Sequence, residues 1–245
     1  MSNFLRKAKR NSMFSGRYTR YLLYALGEFL LLIFGILIAL QVDNWNEDRK
    51  ERKEEIHILE QLVEDFNTNK LILKNSEDEY NRVLKHIDAA LRHSGPTTAL
   101  PSPRVFDSID NLWTPTVELL HTNASAQYGL DLEPVTNNRL KLAIMAFPAT
   151  FSQYKELENT LKDLTGYQHR IRQKYIPLIA NEHEYRQATF ASDSLGLLRD
   201  REFQNASVDR LWNTQNAKIR LEWLSEHNDT ILRFLNTELL ELQAP

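Results

Sequence analysis

The sequence predicts an all-α chain: one N-terminal transmembrane helix continuing into a long stalk helix, and an antiparallel three- to four-helix extracytoplasmic bundle. Three observations carry that prediction. Only 7 Gly and 8 Pro punctuate 245 residues, too few turn-formers for a sandwich or barrel of many short strands. Residues 21–42 form one long apolar run, and no later segment shows sustained period-two alternation, so no sheet is predicted. The 42% hydrophobic and 26% charged fractions, with a mean hydropathy of -0.47, exclude a multi-span membrane protein and a disordered charged tail. The chain has no Cys, which excludes disulfide scaffolds, zinc knuckles, iron-sulfur clusters and thiol nucleophiles together.

The apolar run reads YLLYALGEFLLLIFGILIALQV and holds a single charge, Glu28. Its length spans about 33 Å as a helix, enough for a hydrocarbon core of roughly 30 Å. A cleaved signal would be shorter and would end in small residues. This run leaves instead through Gln41, Val42, Asp43, Asn44 and Trp45. Before it, residues 1–20 carry Arg6, Lys7, Lys9, Arg10, Arg17 and Arg20 and no acid. After it, residues 43–55 carry six acids against four bases. The positive-inside rule then places the N-terminus in the cytoplasm and the C-terminal domain on the opposite side of the membrane, as a single-pass signal-anchor. Tyr18, Tyr21 and Tyr24 at one end and Trp45 at the other mark the headgroup belts,. The partners this implies are the lipid bilayer and either another copy of the chain or a different membrane protein. Without aromatic interleaving or a folded platform, the basic block reads as topology rather than a nucleic-acid site, and no nucleic acid is expected.

The domains expected are a basic cytoplasmic tail at 1–20, the transmembrane helix at 21–42, a stalk and first bundle helix at 43–94, and the remainder of the bundle at 95–245. In the stalk, Asp48/Arg52 and Lys50/Glu54 stand at i, i+4 spacing,. A heptad frame then places Ile56, Val63, Lys70, Glu77, Leu84 and Leu91 in one register and Leu59, Phe66, Leu73, Tyr80 and Ile87 in the other. Ile56, Leu59, Val63 and Phe66 are the candidate bundle seam. Lys70 and Glu77 interrupt it and, at seam positions, fix register or weaken the helix centre. Ser94-Gly95-Pro96 ends the helix,.

Residues 95–103 are a Pro-bearing connector, followed by a short helix around residues 104–112. Thr114-Pro115 restarts a helix at Thr116 by the N-cap and N1-proline logic, and Gly129 closes it,. A further helix runs to Pro148. A second long segment then places Leu157, Leu164, Ile171 and Leu178 at sevens, with Leu161 and Tyr175 beside them and Pro177 kinking its last turn,. Residues 192–202 read as a polar link. The last helix, about residues 205–242, aligns Leu221, Leu224, Ile231, Leu235, Leu239 and Leu242, with Trp212, Ile219 and Trp223 on a flank. Successive long helices are expected to reverse direction.

The stretch YLLYALGEFLLLIFGILIALQVDNWNEDRKERKEE resembles a large uncharacterised family of Gram-negative inner-membrane proteins. The resemblance rests on Gly27-Glu28, residues 35–41 (GILIALQ) and residues 44–47 (NWNE). It implies a single-pass helical protein with a periplasmic domain and carries over no catalytic residue.

Within the membrane, Ala25, Glu28, Leu32, Gly35 and Ala39 share one helix face, and Gly35 and Ala39 form a small-xxx-small pair,. An intramembrane carboxylate costs a few kcal/mol unless paired or protonated. The face is therefore the candidate membrane-helix contact, with Glu28 hydrogen-bonded across it.

Glu54-x-x-His57 and Glu118-x-x-His121 have the spacing of di-iron ligand pairs,. The seam frame turns Glu54 and His57 away from the core, however, and Glu182-His183-Glu184 lacks the second His of a zinc protease helix,. No phosphate loop or nucleophile elbow is present, so neither an enzyme nor a cofactor is expected. The aromatics Phe147, Phe151, Tyr154, Tyr167, Trp212 and Trp223 read as core before they read as a ligand cavity. The function expected is a membrane-anchored interaction or scaffold module; the alternative is an extracytoplasmic ligand sensor or accessory subunit signalling through a membrane partner.

Overall fold

The computed structural model describes residues 15–122, 132–181 and 190–244. Among the described residues the chain is all-helical, with no strand. Most of the basic tail, Asn123, Gly129 and residues 182–184 lie outside them. The described elements are α1 (Ser15–Arg92), α2 (Pro103–Asp110), α3 (Asn138–Arg172), a 3-10 turn (Leu178–Asn181), α4 (Ser194–Arg199) and α5 (Arg201–Gln243). Two compact units divide the chain between Glu55 and Ile56, inside α1.

Among its described residues, from Ser15 on, the first unit is helix alone. Its apolar segment is long enough to cross a membrane, and none of it is buried. Phe29, Leu31, Leu32, Phe34 and Leu37 all stand exposed. A core helix of a soluble domain would bury such residues.

The second unit buries three helix stripes against one another. On α1 from Ile56 onward the buried positions are 59, 62, 66, 69, 73, 76, 80, 83, 87 and 90, alternating steps of three and four. On α3 they include Leu140, Ile144, Phe147, Phe151, Tyr154, Glu158, Leu161, Thr165, Gln168 and Arg172, and on α5 Phe203, Ser207, Arg210, Thr214, Ala217, Leu221, Leu224, Asn228, Ile231, Leu235 and Glu238. All three keep the same alternation. It is the spacing that holds one face of a helix against a neighbour over many turns.

The seam on α1 therefore differs from the predicted one in half of its positions. Leu59 and Phe66 are fully buried, Val63 packs only partly, and Ile56 is half-buried. Lys70 and Glu77 are exposed and lie outside the seam, which runs through Leu62, Asn69, Ser76, Val83 and Ala90 instead. Asn69 and Ser76 can occupy it because their polar atoms are spent: Ser76 Oγ donates to the Ile72 carbonyl at 2.8 Å, and the Asn69 amide is paired as described below.

Side-chain pairs fix the directions. Phe66 meets Phe147 and Tyr80 meets Tyr154, so α1 and α3 run parallel. Asn228 Nδ2 donates to the Phe66 carbonyl at 3.0 Å, and Gln168 Nε2 to Ser207 Oγ at 2.9 Å. With Lys70 on Asp229 and Lys218 near Glu77, they set α5 antiparallel to both.

The expected alternation of long helices fails because the return pass between α1 and α3 is not helical. Residues 111–119 form neither helix nor strand and lead into a turn at Leu120; Pro115, Val117 and Leu119 are buried while Thr116, Glu118 and Leu120 are exposed, the period-two alternation of an extended course. No helix starts at Thr116. The local Thr-Pro signal yields because this strap contributes Val117 and Leu119 to the main core.

Three other boundaries differ. Pro148 lies inside α3 rather than ending a helix. Arg172 ends α3 five residues before Pro177, and Leu178 is exposed. Residues 192–202 are not a link, since α4 buries Leu197 and Leu198 in a second core with Ile109, Ile171 and Phe203.

Caps account for the helix starts. Asn137 Oδ1 accepts from the Arg139 and Leu140 N–H groups at 3.0 and 3.1 Å. Asp200 Oδ1 accepts from the Glu202 N–H at 2.6 Å. Each meets donors that a helix start leaves unpaired.

Candidate functional site

An extended strap with no neighbouring strand must find partners for its backbone elsewhere, because a buried unpaired amide costs about 1–3 kcal/mol. Side chains of all three long helices supply them. Asn69 holds both polar groups of Leu120: the Leu120 N–H donates to Oδ1 at 2.8 Å, and Nδ2 donates to the Leu120 carbonyl at 3.1 Å. Glu158 Oε2 accepts the Val117 N–H at 3.0 Å, while Lys155 Nζ donates to the Val117 carbonyl at 3.2 Å. Arg210 donates to the Trp113 carbonyl, and His169 Nε2 to that of Leu112 at 3.1 Å. Thr114 Oγ1 reaches Thr165 Oγ1 at 2.6 Å. At the strap's start Arg172 pairs with Asp110.

Beneath the strap lies a buried polar row. Glu158 is fully buried and receives Lys155 at 2.8 Å and Lys162 at 2.6 Å. Burial alone would raise its pKa, but the two lysines and the Val117 amide outweigh that and leave it below the ordinary glutamate value,. Tyr80 and Tyr154 share a hydroxyl hydrogen bond at 3.0 Å. Burial pushes Tyr80 up to about 12 and Tyr154 higher still, so both stay protonated. Arg210 donates to Gln168 Oε1 at 3.1 Å and to the Trp113 carbonyl. Burial brings its pKa down to about 10. These groups bind the chain to itself.

His121 closes the strap with a left-handed φ of 57°, a conformation that costs a non-glycine residue energy and persists only where contacts enforce it. Its ring stacks on Phe66 with centroids 5.6 Å apart, and Nε2 meets Asp65 Oδ2 at 2.8 Å. Glu118, its proposed ligand partner by spacing, pairs with Lys155 at 2.9 Å. Among the described residues, no group of three or more His, Asp or Glu is placed to hold a metal ion.

One surface cavity, of about 270 Å³, lies between α1 and α5, lined by Leu73, Glu77, Leu221, Glu222, Ser225, Glu226 and Asp229. Lys70 on Asp229 at 2.9 Å and Lys218 on Glu222 at 3.3 Å offset part of its negative charge. Phe147, Phe151 and Tyr154 are core, whereas Tyr167, Trp212 and Trp223 are exposed.

On the apolar segment, Ala25, Glu28, Leu32, Gly35 and Ala39 are all exposed. A Cβ added at Gly27 or Gly35 would meet nothing within 4 Å. The chain's own packing therefore gives no reason for glycine at either position.

Residues 28–91 match a family of unknown function (DUF6090). The match opens on Glu28 and closes one residue before α1 ends, so it covers the apolar segment from that carboxylate onward and the whole buried seam. No curated protein and no solved structure matches the chain. The strap-binding side chains on α3 and α5 lie beyond the matched region. Sequence reasoning missed Asn69, Glu158, Gln168 and Arg210 because isolated polar residues within a heptad read as solvated. For Asn69 spacing was the available signal, since Leu62, Asn69, Ser76, Val83 and Ala90 stand at strict sevens.

Proposed function

We propose that this chain is a membrane-anchored helical interaction module of the Gram-negative cell envelope. Residues 21–42 cross the inner membrane once with the N-terminus cytoplasmic, and the periplasmic bundle acts without catalysis. The observation that carries this reading is that one helix, α1, contains both an apolar segment with nothing buried and the seam on which the bundle is built. Six bases and no acid in residues 1–20 support the orientation,. The non-catalytic reading is supported by the way buried Glu158, Arg172 and Arg210 are engaged by the chain's own strap and helices.

In this reading Ala25, Glu28, Leu32, Gly35 and Ala39 face another membrane helix, and Glu28 hydrogen-bonds across the contact. The unobstructed Gly35 supports it, since a close helix approach supplies a reason for glycine that the isolated chain lacks.

The test is in-cell cross-linking of the full-length chain followed by mass spectrometry, with Glu28→Leu and Gly35→Leu as comparisons. Self-links, or links to one membrane protein, that weaken in both variants are expected. Recovery of the chain alone, or links indifferent to both changes, would overturn the contact.

A second reading, an extracytoplasmic ligand sensor, is favoured by the acid-lined cavity between α1 and α5. It requires the purified chain to gain thermal stability with a small cationic ligand. Unchanged melting across a panel of such cations would remove it.

A further inference from the structure

The outer face of α5 is apolar where a solvated helix is usually polar. Trp212, Ile219 and Trp223 are 59, 46 and 50% exposed, and Asn216, also exposed, stands between them. At about 100° per residue these four fall within a sector of roughly 60°. Their spacing of four, three and four is that of a helix seam, on the side of α5 opposite its buried stripe. The three apolar side chains expose on the order of 300 Å² together, the size of the largest patch on a typical monomer. Among the described residues, Arg220 borders the stripe, its guanidinium 4.2 Å from the Trp223 ring centroid.

We propose that this stripe is a self-association surface and that its occupant is the α5 stripe of a second copy of the chain. Two features favour a copy over a foreign partner. The positions that would meet across a two-fold pairing, 212, 216, 219 and 223, are all uncharged, so self-pairing brings no like charges into contact,. Asn216 sits at a seam position, where two copies of one amide hydrogen-bond to each other and fix register. The edges are also complementary. Arg220 borders one side of the stripe and Glu222 the other, and a parallel pairing, with the two-fold axis along α5, sets the basic edge of one copy against the acidic edge of the next.

The area sets the strength. A stable free dimer buries about 800 Å² per partner, and the stripe supplies well under half of that. The pairing is therefore weak in solution and becomes populated when two copies share one membrane, where the effective concentration rises toward the millimolar range. This last step rests on the membrane anchoring proposed above.

The chain carries no cysteine, so single introduced thiols report cleanly. The experiment uses the full-length chain in its native membranes, with Asn216→Cys on the stripe and Ser152→Cys on the exposed face of α3, treated with a short bis-maleimide. Asn216→Cys is expected to give a dimer and Ser152→Cys none. Adding Trp212→Ala or Trp223→Ala should weaken the pairing on the order of tenfold or more, with only a small change in melting because each ring is at least half exposed. Membrane-fraction protein that gives no Asn216→Cys dimer, or links only to another protein, would overturn the stripe pairing and leave the anchoring intact. Recovery in the soluble fraction would overturn the anchoring, and a stripe dimer found there would still uphold the pairing.

Discussion

Glu158 and Val117 are 41 residues apart, yet the carboxylate of one accepts the backbone N–H of the other at 3.0 Å in the bundle interior. Lys155, one turn earlier on α3, takes the carbonyl of the same Val117. A strap residue is thus held by an ion pair as a β-strand residue is held by its neighbour strand. Replacing Glu158 by Leu orphans the Val117 amide and leaves the half-buried Lys155 without its buried partner. The expected loss is about 2–4 kcal/mol of unfolding free energy. Lys162 is 44% exposed, and Lys162→Met should cost under about 1 kcal/mol. Urea denaturation of the two variants checks the difference, and equal losses would sink the clamp.

The same carboxylate gives the fold an acid limb. Its folded pKa lies below the ordinary glutamate value of 4.5, so the unfolded chain binds the proton more readily. The stability it contributes is fully present above the unfolded pKa and is lost as pH falls through the folded one. Asp200, which burial pushes up but Tyr175 and the Glu202 and Phe203 amides together hold down, acts in the same direction below its ordinary value of 3.8. Denaturation midpoints should hold near neutrality and fall below about pH 4.5, with a shallower fall in Glu158→Gln. An identical acid limb in that variant would assign the loss to other groups.

Two registers of α1 compete in the sequence, and one pair of experiments separates them. The apolar-counting frame places Lys70 and Glu77 in the seam, whereas the structure buries Asn69 and Ser76. Lys70→Leu and Glu77→Leu should therefore change stability by less than about 0.5 kcal/mol. Asn69→Leu, which makes the heptad more apolar, should cost about 1–3 kcal/mol because both polar groups of Leu120 lose their partner,. Stabilisation by Asn69→Leu would restore the apolar frame.

That competition also explains what was legible. Leu59, Phe66, Leu73, Tyr80 and Ile87 mark one register by hydrophobicity alone, as Leu221, Leu224, Ile231 and Leu235 mark α5. The apolar run and the isolated Glu28 stand out for the same reason. The strap does not. Thr114-Pro115 is a good local helix start, and only the distant Asn69, Glu158 and Arg210 make an extended backbone affordable there. Those residues are polar and scattered over three helices, so no window of sequence contains both the strap and what holds it. Residues 192–202 were misread on the same footing, since Leu197 and Leu198 gain their burial from Ile109, Ile171 and Phe203.

Orientation is the last expectation, and it follows from charge rather than from packing. Six bases without an acid precede the apolar segment, and 32 acids against 24 bases follow residue 42. Transferring the basic block across an energised membrane is opposed by about 2.3 kcal/mol per charge per 100 mV, whereas the acidic domain moves with the field. A thiol at Ser12→Cys should thus resist a membrane-impermeant maleimide until the inner membrane is permeabilised. A thiol at Ser152→Cys, exposed on α3, should react as soon as the periplasm is open. Replacing Arg17 and Arg20 with Glu should raise the fraction of chains with the opposite pattern, because it changes the local charge by four without touching the bundle. Early labelling of Ser12→Cys in the parent chain would reverse the topology, and simultaneous labelling of both sites would remove the span.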